Sequence, residues 1–331
     1  MIDHKPVFEF HSVFAPYIIE YIDYRETFST NFRVSSGMLR QFDRYCIEKG
    51  INEAVITREL VDGWLMTKQS DSDSTRGQRI STLKCFNDYL GTKGIKTDWM
   101  PHPGYAGRYR RYTPYIYTQD EMSRIFANAD NLPMPFLGSR IDLVFPAVIR
   151  VLYGCGLRVS EALALRVKDV NLKDGFIFIE KAKFNKSRNL PISQSLRGYL
   201  IRYAEKNKEL IGFDEQAYFF PNAKRERYSP RTIYDRFRYT LNQSGIRHGD
   251  KGPRVHDLRH TFAVNSLRKN IREGQDIYVT LPILMAYLGH GKLSSTEYYL
   301  RLTAEVYPEF LSIADTVCAK VIPEVIDYEE A

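Results

Sequence analysis

A chain of 331 residues is long enough for two domains, each with its own core, and 44% hydrophobic residues exclude wholesale disorder. A formal charge of +7 at pH 7 favours a polyanionic partner without identifying it. No apolar run approaches the roughly 18 residues of a membrane span. The opening MIDHKPVFEFHSV has early acids and no apolar signal core, so a cytoplasmic protein with no membrane contact is expected.

In chain order, residues from about Ser12 to Leu90 read as helical throughout. Phe14, Ile18, Ile19 and Ile22 recur at helical spacing, and further helices follow around Met38–Lys49, Val61–Lys68 and Gln78–Leu90. This predicts a compact helical domain over residues 1–100. Gly94–Pro114 is rich in Pro, Gly and Arg and lacks apolar periodicity, which places an interdomain linker at 101–114. Arg108, Arg110 and Arg111 interleave there with Tyr105, Tyr109 and Tyr112. Such a stretch either tracks phosphates and stacks on bases or is a solvated basic linker.

The second domain, 115–331, opens with TQDEMSRIF, where Thr118 can cap a helix and Glu121 completes a capping box. Ile141–Tyr153 is an apolar helix stopped by Gly154 and Gly156, and a short helix starts at about Ser160. Gly175–Glu180 reads as a strand with Asn189–Ile192 as its partner and Lys181–Arg188 as the hairpin tip. From Ser193 the pattern is helical again, apart from Tyr218–Pro221. The fold expected is mainly α with a small β-sheet. Pro308–Val321, with Phe310, Leu311, Ile313, Ala314 and Val317, reads as an amphipathic tail helix that docks on a neighbouring protomer or packs on its own domain. Cys46, Cys85, Cys155 and Cys318 have no CxxC or Cys/His spacing. They read as reduced, mostly buried thiols and give no support to a zinc site.

Four islands place cationic or ionisable groups beside helix-breaking residues. In GCGLRVSEALAL (Gly154–Leu165) the glycines deliver Arg158 to a helix entrance, where a guanidinium can grip two phosphate oxygens. KAKFNKSRNLP (Lys181–Pro191) puts Lys183 and Lys186 on the hairpin tip. A lysine there can enter a DNA groove or protonate a leaving oxygen, and an ordinary charged turn reads the same way. In HDLRHTFA (His256–Ala263), His256 and Arg259 share a helix face suited to a phosphate, whereas His260 falls on another face and reads as a packed core histidine. LGHGKLSSTEYYLR (Leu288–Arg301) ends a helix at His290 and restarts one ahead of Tyr298 and Tyr299.

Together these islands resemble the active-site signature of the tyrosine recombinase (phage integrase) family, from about Tyr115 to Tyr299. The resemblance lies in the order Arg, Lys, His-x-x-Arg, His, Tyr. It implies an N-terminal helical core-binding (SAM-like) domain and a mixed α/β catalytic domain. GLRVSEAL matches the first family arginine with Arg158, HDLRH gives His256 and Arg259, and LGH gives His290. Tyr299, nine residues on, matches the nucleophile in preference to Tyr298. The hairpin's R-x-x-P ending, Arg188 and Pro191, makes Lys183 the family lysine, with Lys186 the alternate. Arg108, Arg110, Arg111, Lys186 and Arg188 are the candidate DNA contacts.

The chemistry implied is phosphoryl transfer, governed by positioning and by charge on the equatorial oxygens. Arg158 and Arg259 would bind the non-bridging oxygens with His290, His256 would accept the phenol proton, and Lys183 would protonate the departing 5′-oxygen. A 3′-phosphotyrosyl link retains the bond energy, so resealing needs no ATP, and no metal or other cofactor is implied. The resemblance also implies double-stranded DNA held in a C-shaped clamp and a tetramer in the synaptic complex. The roles it allows are integration, excision or transposition of a mobile element, with chromosome-dimer resolution and type IB topoisomerase-like activity as alternatives. A DNA-binding protein without catalysis is the rival from another class, and the full set of catalytic residue types weighs against it. One departure from the family pattern is a long stretch between Gly274 and LGH carrying VTLPILMAYL. Thr280 would cap a helix there, with Pro282 at an early position.

Overall fold

The computed structural model describes residues 9–28, 33–66, 73–95, 99–101, 105, 113–133, 139–182, 186–212, 214–247, 249, 252–290, 298–299 and 302–303. The chain divides into two compact units, residues 1–111 and 112–331.

The first unit contains α1 (Ala15–Phe28), α2 (Arg33–Glu48), α3 (Arg58–Leu65) and α4 (Asp73–Thr92). Phe14, Ile18 and Tyr21, then Leu39, Phe42 and Cys46, then Leu83, Phe86 and Leu90 are all buried, so each set turns one helical stripe inward. The Phe14 ring meets Phe42 at 5.3 Å and Phe86 at 6.3 Å between centroids. Truncating any of the three to Ala would cost about 3–5 kcal/mol. Buried Asp43 accepts the backbone N–H of Ser12 at 2.9 Å and of His11 at 3.1 Å, which ties down the entry to α1. Two details differ from expectation. Ile19 is 48% exposed and lies off the stripe. Helices α2, α3 and α4 start at residues 33, 58 and 73, ahead of the positions expected for them. Of the cysteines, Cys46 and Cys155 are buried free thiols and Cys85 is an exposed one.

In the second unit, α5 (Gln119–Asp130) opens with the expected capping box. Thr118 Oγ1 accepts the Glu121 N–H at 3.2 Å, and Glu121 Oε2 accepts the Thr118 N–H at 2.8 Å. Helix α6 (Ile141–Cys155) is buried along most of its length and runs through Gly154 to end at Gly156, in the left-handed region with φ 60°. Then come α7 (Val159–Ala164), a 3₁₀ turn over Val167–Asp169, and strands β1 (Val170–Asn171), β2 (Phe176–Ala182) and β3 (Lys186–Pro191). The strands pair antiparallel in the order β1-β2-β3. Ile177 pairs with Leu190, and both are buried with Ile179, so the alternation of apolar residues selects the face that meets the core. The tip read as Lys181–Arg188 is shorter than expected. A register shift between Ile179 and Ala182 carries pairing beyond the last apolar residue, to Ala182 and Lys186.

Helices α8 (Gln194–Lys206), α9 (Lys208–Ile211), α10 (Pro230–Gln243), α11 (Asp257–Arg272) and α12 (Ile277–Leu288) follow. The fold is mainly α with a small β-sheet. Helix α12 corrects an expectation. Asp276, not Thr280, caps it by accepting the Tyr278 N–H at 2.8 Å, so Pro282 sits inside the helix. The backbone bond forgone at Pro282 is offset by packing: Leu281, Leu284 and Leu288 share a buried cluster with Ala263, Val264 and Leu267 of α11. No helix among the described residues is long and apolar enough to cross a membrane. The tail segment Pro308–Val321 lies outside the described residues.

Candidate active site

Three interruptions of helix deliver the site. The first is the turn after α6. A Cβ on Gly156 would lie 2.5 Å from the Phe262 ring on α11, so the close approach of that ring needs glycine here. The chain then enters α7 with Arg158 at its N-cap. Glu161, in the first turn, accepts the Arg158 backbone N–H at 2.9 Å through one oxygen and the Arg158 guanidinium at 2.7 Å through the other. The same carboxylate accepts Arg188 Nη2 at 3.0 Å and stands 4.0 Å from Arg259 Nη1. One carboxylate thus gathers three guanidinia. Burial pushes the Glu161 pKa up. The Arg158 N–H, the Arg188 hydrogen bond and the charges of both arginines outweigh it and hold Glu161 below the usual carboxylate range. The sequence reading missed Glu161, although an acid three residues after a helix entrance is the capping-box signal that could have found it.

The second interruption is the start of α11, where His256 is the N-cap. Arg259, 2% exposed, donates to the Gly156 carbonyl and to the Leu288 carbonyl, each at 2.7 Å. It therefore locks the turn ahead of Arg158 to the end of α12. Burial and then the Arg158 charge pull its pKa down to about 10, which leaves it protonated at neutral pH. The third interruption is Gly289, with φ 67°, which ends α12, and the His290 N–H closes the turn on the Met285 carbonyl at 3.0 Å.

Around Tyr299, which is 3% exposed, the aromatic rings converge. His290 lies nearly parallel to it at 5.8 Å between centroids and His260 is tilted at 5.5 Å. His260 in turn meets His256 edge-on at 4.9 Å. Read as a core histidine on another face, His260 instead stands between His256 and Tyr299, because residues four apart share a helix face. Burial raises the Tyr299 phenol pKa, opposed by the charge and hydrogen bond of Arg259 and the charge of Arg158. Burial, then Arg259 and Arg158, pulls His290 down to about 4. The protein packed around His256 and the same two arginines lower it too, although one edge stays open to solvent. His260 falls to about 3 through burial, then His256 and Arg259. All three imidazoles are neutral at pH 7, each with one donating and one accepting nitrogen.

Arg158, His256, Arg259, His290 and Tyr299 are thus brought together. Lys183, Arg108, Arg110 and Arg111 lie outside the described residues, and Lys186 opens β3. Arg188, expected at an exposed tip as a DNA contact, lies within β3 with its side chain 10% exposed and turned inward onto Glu161. Guanidinia and neutral imidazoles around a buried phenol can stabilise charge developing on a phosphoryl group attacked by that phenol.

A model of the phage integrase family matches residues 116–305. A protein of Sinorhizobium fredii named as an integrase/recombinase, y4rE, is 30% identical over 282 residues, covering 85% of this chain and 89% of its own length. The XerH site-specific recombinase, bound to palindromic difH in a post-cleavage complex, is similar in structure. Its TM-score is 0.62 at 20% identity, over 85% of this chain and 78% of that one. The Tn1549 transposon integrase in complex with a circular intermediate DNA gives a TM-score of 0.61 at 15% identity, over 85% of this chain and 94% of that one. At these identities the two structures establish likeness of fold.

Proposed function

Because this chain belongs to the phage integrase, or tyrosine recombinase, family of DNA-breaking and rejoining enzymes, we propose that it is a site-specific recombinase of a mobile element with Tyr299 as nucleophile. One observation carries the reading. The Tyr299 phenol is buried beside His290, the charge of Arg259 opposes the rise that burial gives its pKa, and Glu161 gathers Arg158 alongside that arginine.

Arg158 and Arg259 bind the non-bridging oxygens of one DNA phosphate, and His290 adds a hydrogen bond. Tyr299 Oη attacks phosphorus while its proton passes toward neutral His256 by way of His260, which stands between them, and the two guanidinia stabilise the developing charge. The bond from phosphorus to the 5′-oxygen breaks, Lys183 protonates that oxygen, and a 3′-phosphotyrosyl link and a free 5′-hydroxyl result. Attack by a 5′-hydroxyl from a second strand reverses these steps and restores the phenol. Arg108, Arg110, Arg111 and Lys186 contact the duplex backbone. Four protomers on two duplexes exchange strands, with the tail segment Pro308–Val321 docked on a neighbouring protomer. Likeness along most of the chain to a protein named integrase/recombinase supports the recombinase reading.

The test begins by mapping protected and cleaved positions on the DNA that flanks the coding sequence. A duplex nicked beside the mapped cut then traps the covalent adduct. Wild type and Tyr298→Phe should form it and Tyr299→Phe should not. Retained binding with no wild-type adduct would overturn catalysis altogether. Relaxation of supercoils by monomers without synapsis would shift the assignment to a type IB topoisomerase-like activity.

A further inference from the structure

The guanidinium of Arg188 touches two of the segments that carry the site. Its Nη2 donates at 3.0 Å to Glu161 Oε2, part of the carboxylate that grips Arg158. Its Nε donates at 2.8 Å to the Tyr287 carbonyl, in the last turn of α12 and three residues before His290. The remaining terminal nitrogen, Nη1, is buried with no hydrogen-bond partner among the described residues, and a Cβ on Gly289 would lie 2.8 Å from it. With 10% of its side chain exposed, Arg188 has little surface to offer a DNA groove. A buried donor left unpaired costs stability, so its retention calls for another return.

We propose that Arg188 is a positioning residue of the cleavage reaction, fixing Arg158 through Glu161 and the His290 turn through Tyr287. The inference rests on the reading that Arg158 and His290 hold the scissile phosphate. A guanidinium suits the task because its planar fork reaches two acceptors in different directions, here a carboxylate oxygen and a backbone carbonyl. An ammonium on a single stem can satisfy one of them at full strength. Arg188 also joins β3 to α7 and to the end of α12, so three segments distant in sequence share one rigid junction. Preset in this way, the phosphate-binding groups need no reorganisation when charge develops.

The test compares Arg188→Met and Arg188→Lys on the mapped nicked duplex, with Lys183→Ala and Glu161→Gln as references. Arg188→Met should lower the single-turnover cleavage rate at saturating DNA at least about 100-fold while Kd changes less than about threefold. Arg188→Lys should fall between it and wild type. Combined with Glu161→Gln, Arg188→Met should cost less than the product of the two single losses, because both changes loosen the same hold on Arg158 while the loss through Tyr287 remains. A duplex with a 5′-bridging sulfur, whose thiolate leaves without an acid, should leave the Arg188→Met defect in place. Weakened binding with a normal saturating rate would make Arg188 a DNA contact and overturn the proposal. So would multiplicative losses with Glu161→Gln, or recovery on the sulfur substrate. If Arg188→Met fails to fold, Arg188→Lys is read by the same criteria. Failure of the wild type to form an adduct would instead sink the recombinase reading itself.

Discussion

Gly289 stands so close over Arg188 that a Cβ at the glycine would lie 2.8 Å from the Arg188 Nη1. Its φ of 67° is itself one that L side chains resist, at roughly 1–2 kcal/mol. Gly289→Ala therefore meets two costs together. Stability should fall by about 1–2 kcal/mol in urea unfolding. Displacement of the guanidinium from Glu161 and Tyr287 should slow cleavage at saturating DNA at least about tenfold, and full activity in a destabilised variant would separate the two residues.

What the sequence showed of this site follows from how local each signal is. The Thr118–Glu121 cap and the Ile177–Leu190 pairing depend on neighbours within one turn or one hairpin, and spacing reveals them. Arg158, His256, Arg259, His290 and Tyr299 were legible through wording peculiar to a family. Glu161 and the inward turn of Arg188 were not, because a carboxylate and a guanidinium 27 residues apart meet only when α7 and β3 fold together. Helix α12 was misread at its start because Pro282 carries a strong local penalty that apolar packing on α11 overrides.

Glu161 is the counter-charge for this junction, with a side chain 10% exposed. Removing one partner from a buried ion pair leaves the other uncompensated and costs about 3–5 kcal/mol. Glu161→Ala should approach the lower end, since Arg158 is less buried than Arg188 and can turn to water. Glu161→Gln keeps the shape and one acceptor and should cost less. A Glu161→Gln variant with the wild-type urea midpoint would mean that charge is not what Glu161 supplies.

Arg259 joins the Gly156 and Leu288 carbonyls, one at each end of its fork. Arg259→Lys preserves the charge but cannot span both acceptors. One buried carbonyl then goes unsatisfied, at about 1–3 kcal/mol, and the phosphate loses a second donor. Cleavage should drop about 100-fold or more with a stable adduct barely detectable, and wild-type cleavage by this variant would remove Arg259 from the reaction.

The imidazoles give the protein a pH dependence with a definite sign. His290 and His260 have folded pKa values near 4 and 3, below their ordinary value of 6.5. Above pH 6.5 both are neutral folded or unfolded, and their contribution to stability is constant. Below it the unfolded chain binds protons that the folded chain refuses, so stability is lost progressively as pH falls toward the folded values. Urea midpoints should be level from pH 7 to 8 and decline from 6.5 to 5, before most carboxylates titrate. His260→Gln, neutral throughout, should show a shallower decline than wild type because one proton-refusing site is gone. Parallel slopes for the two proteins would mean that His260 binds protons normally in the folded state, and its place between His256 and Tyr299 would then need revision.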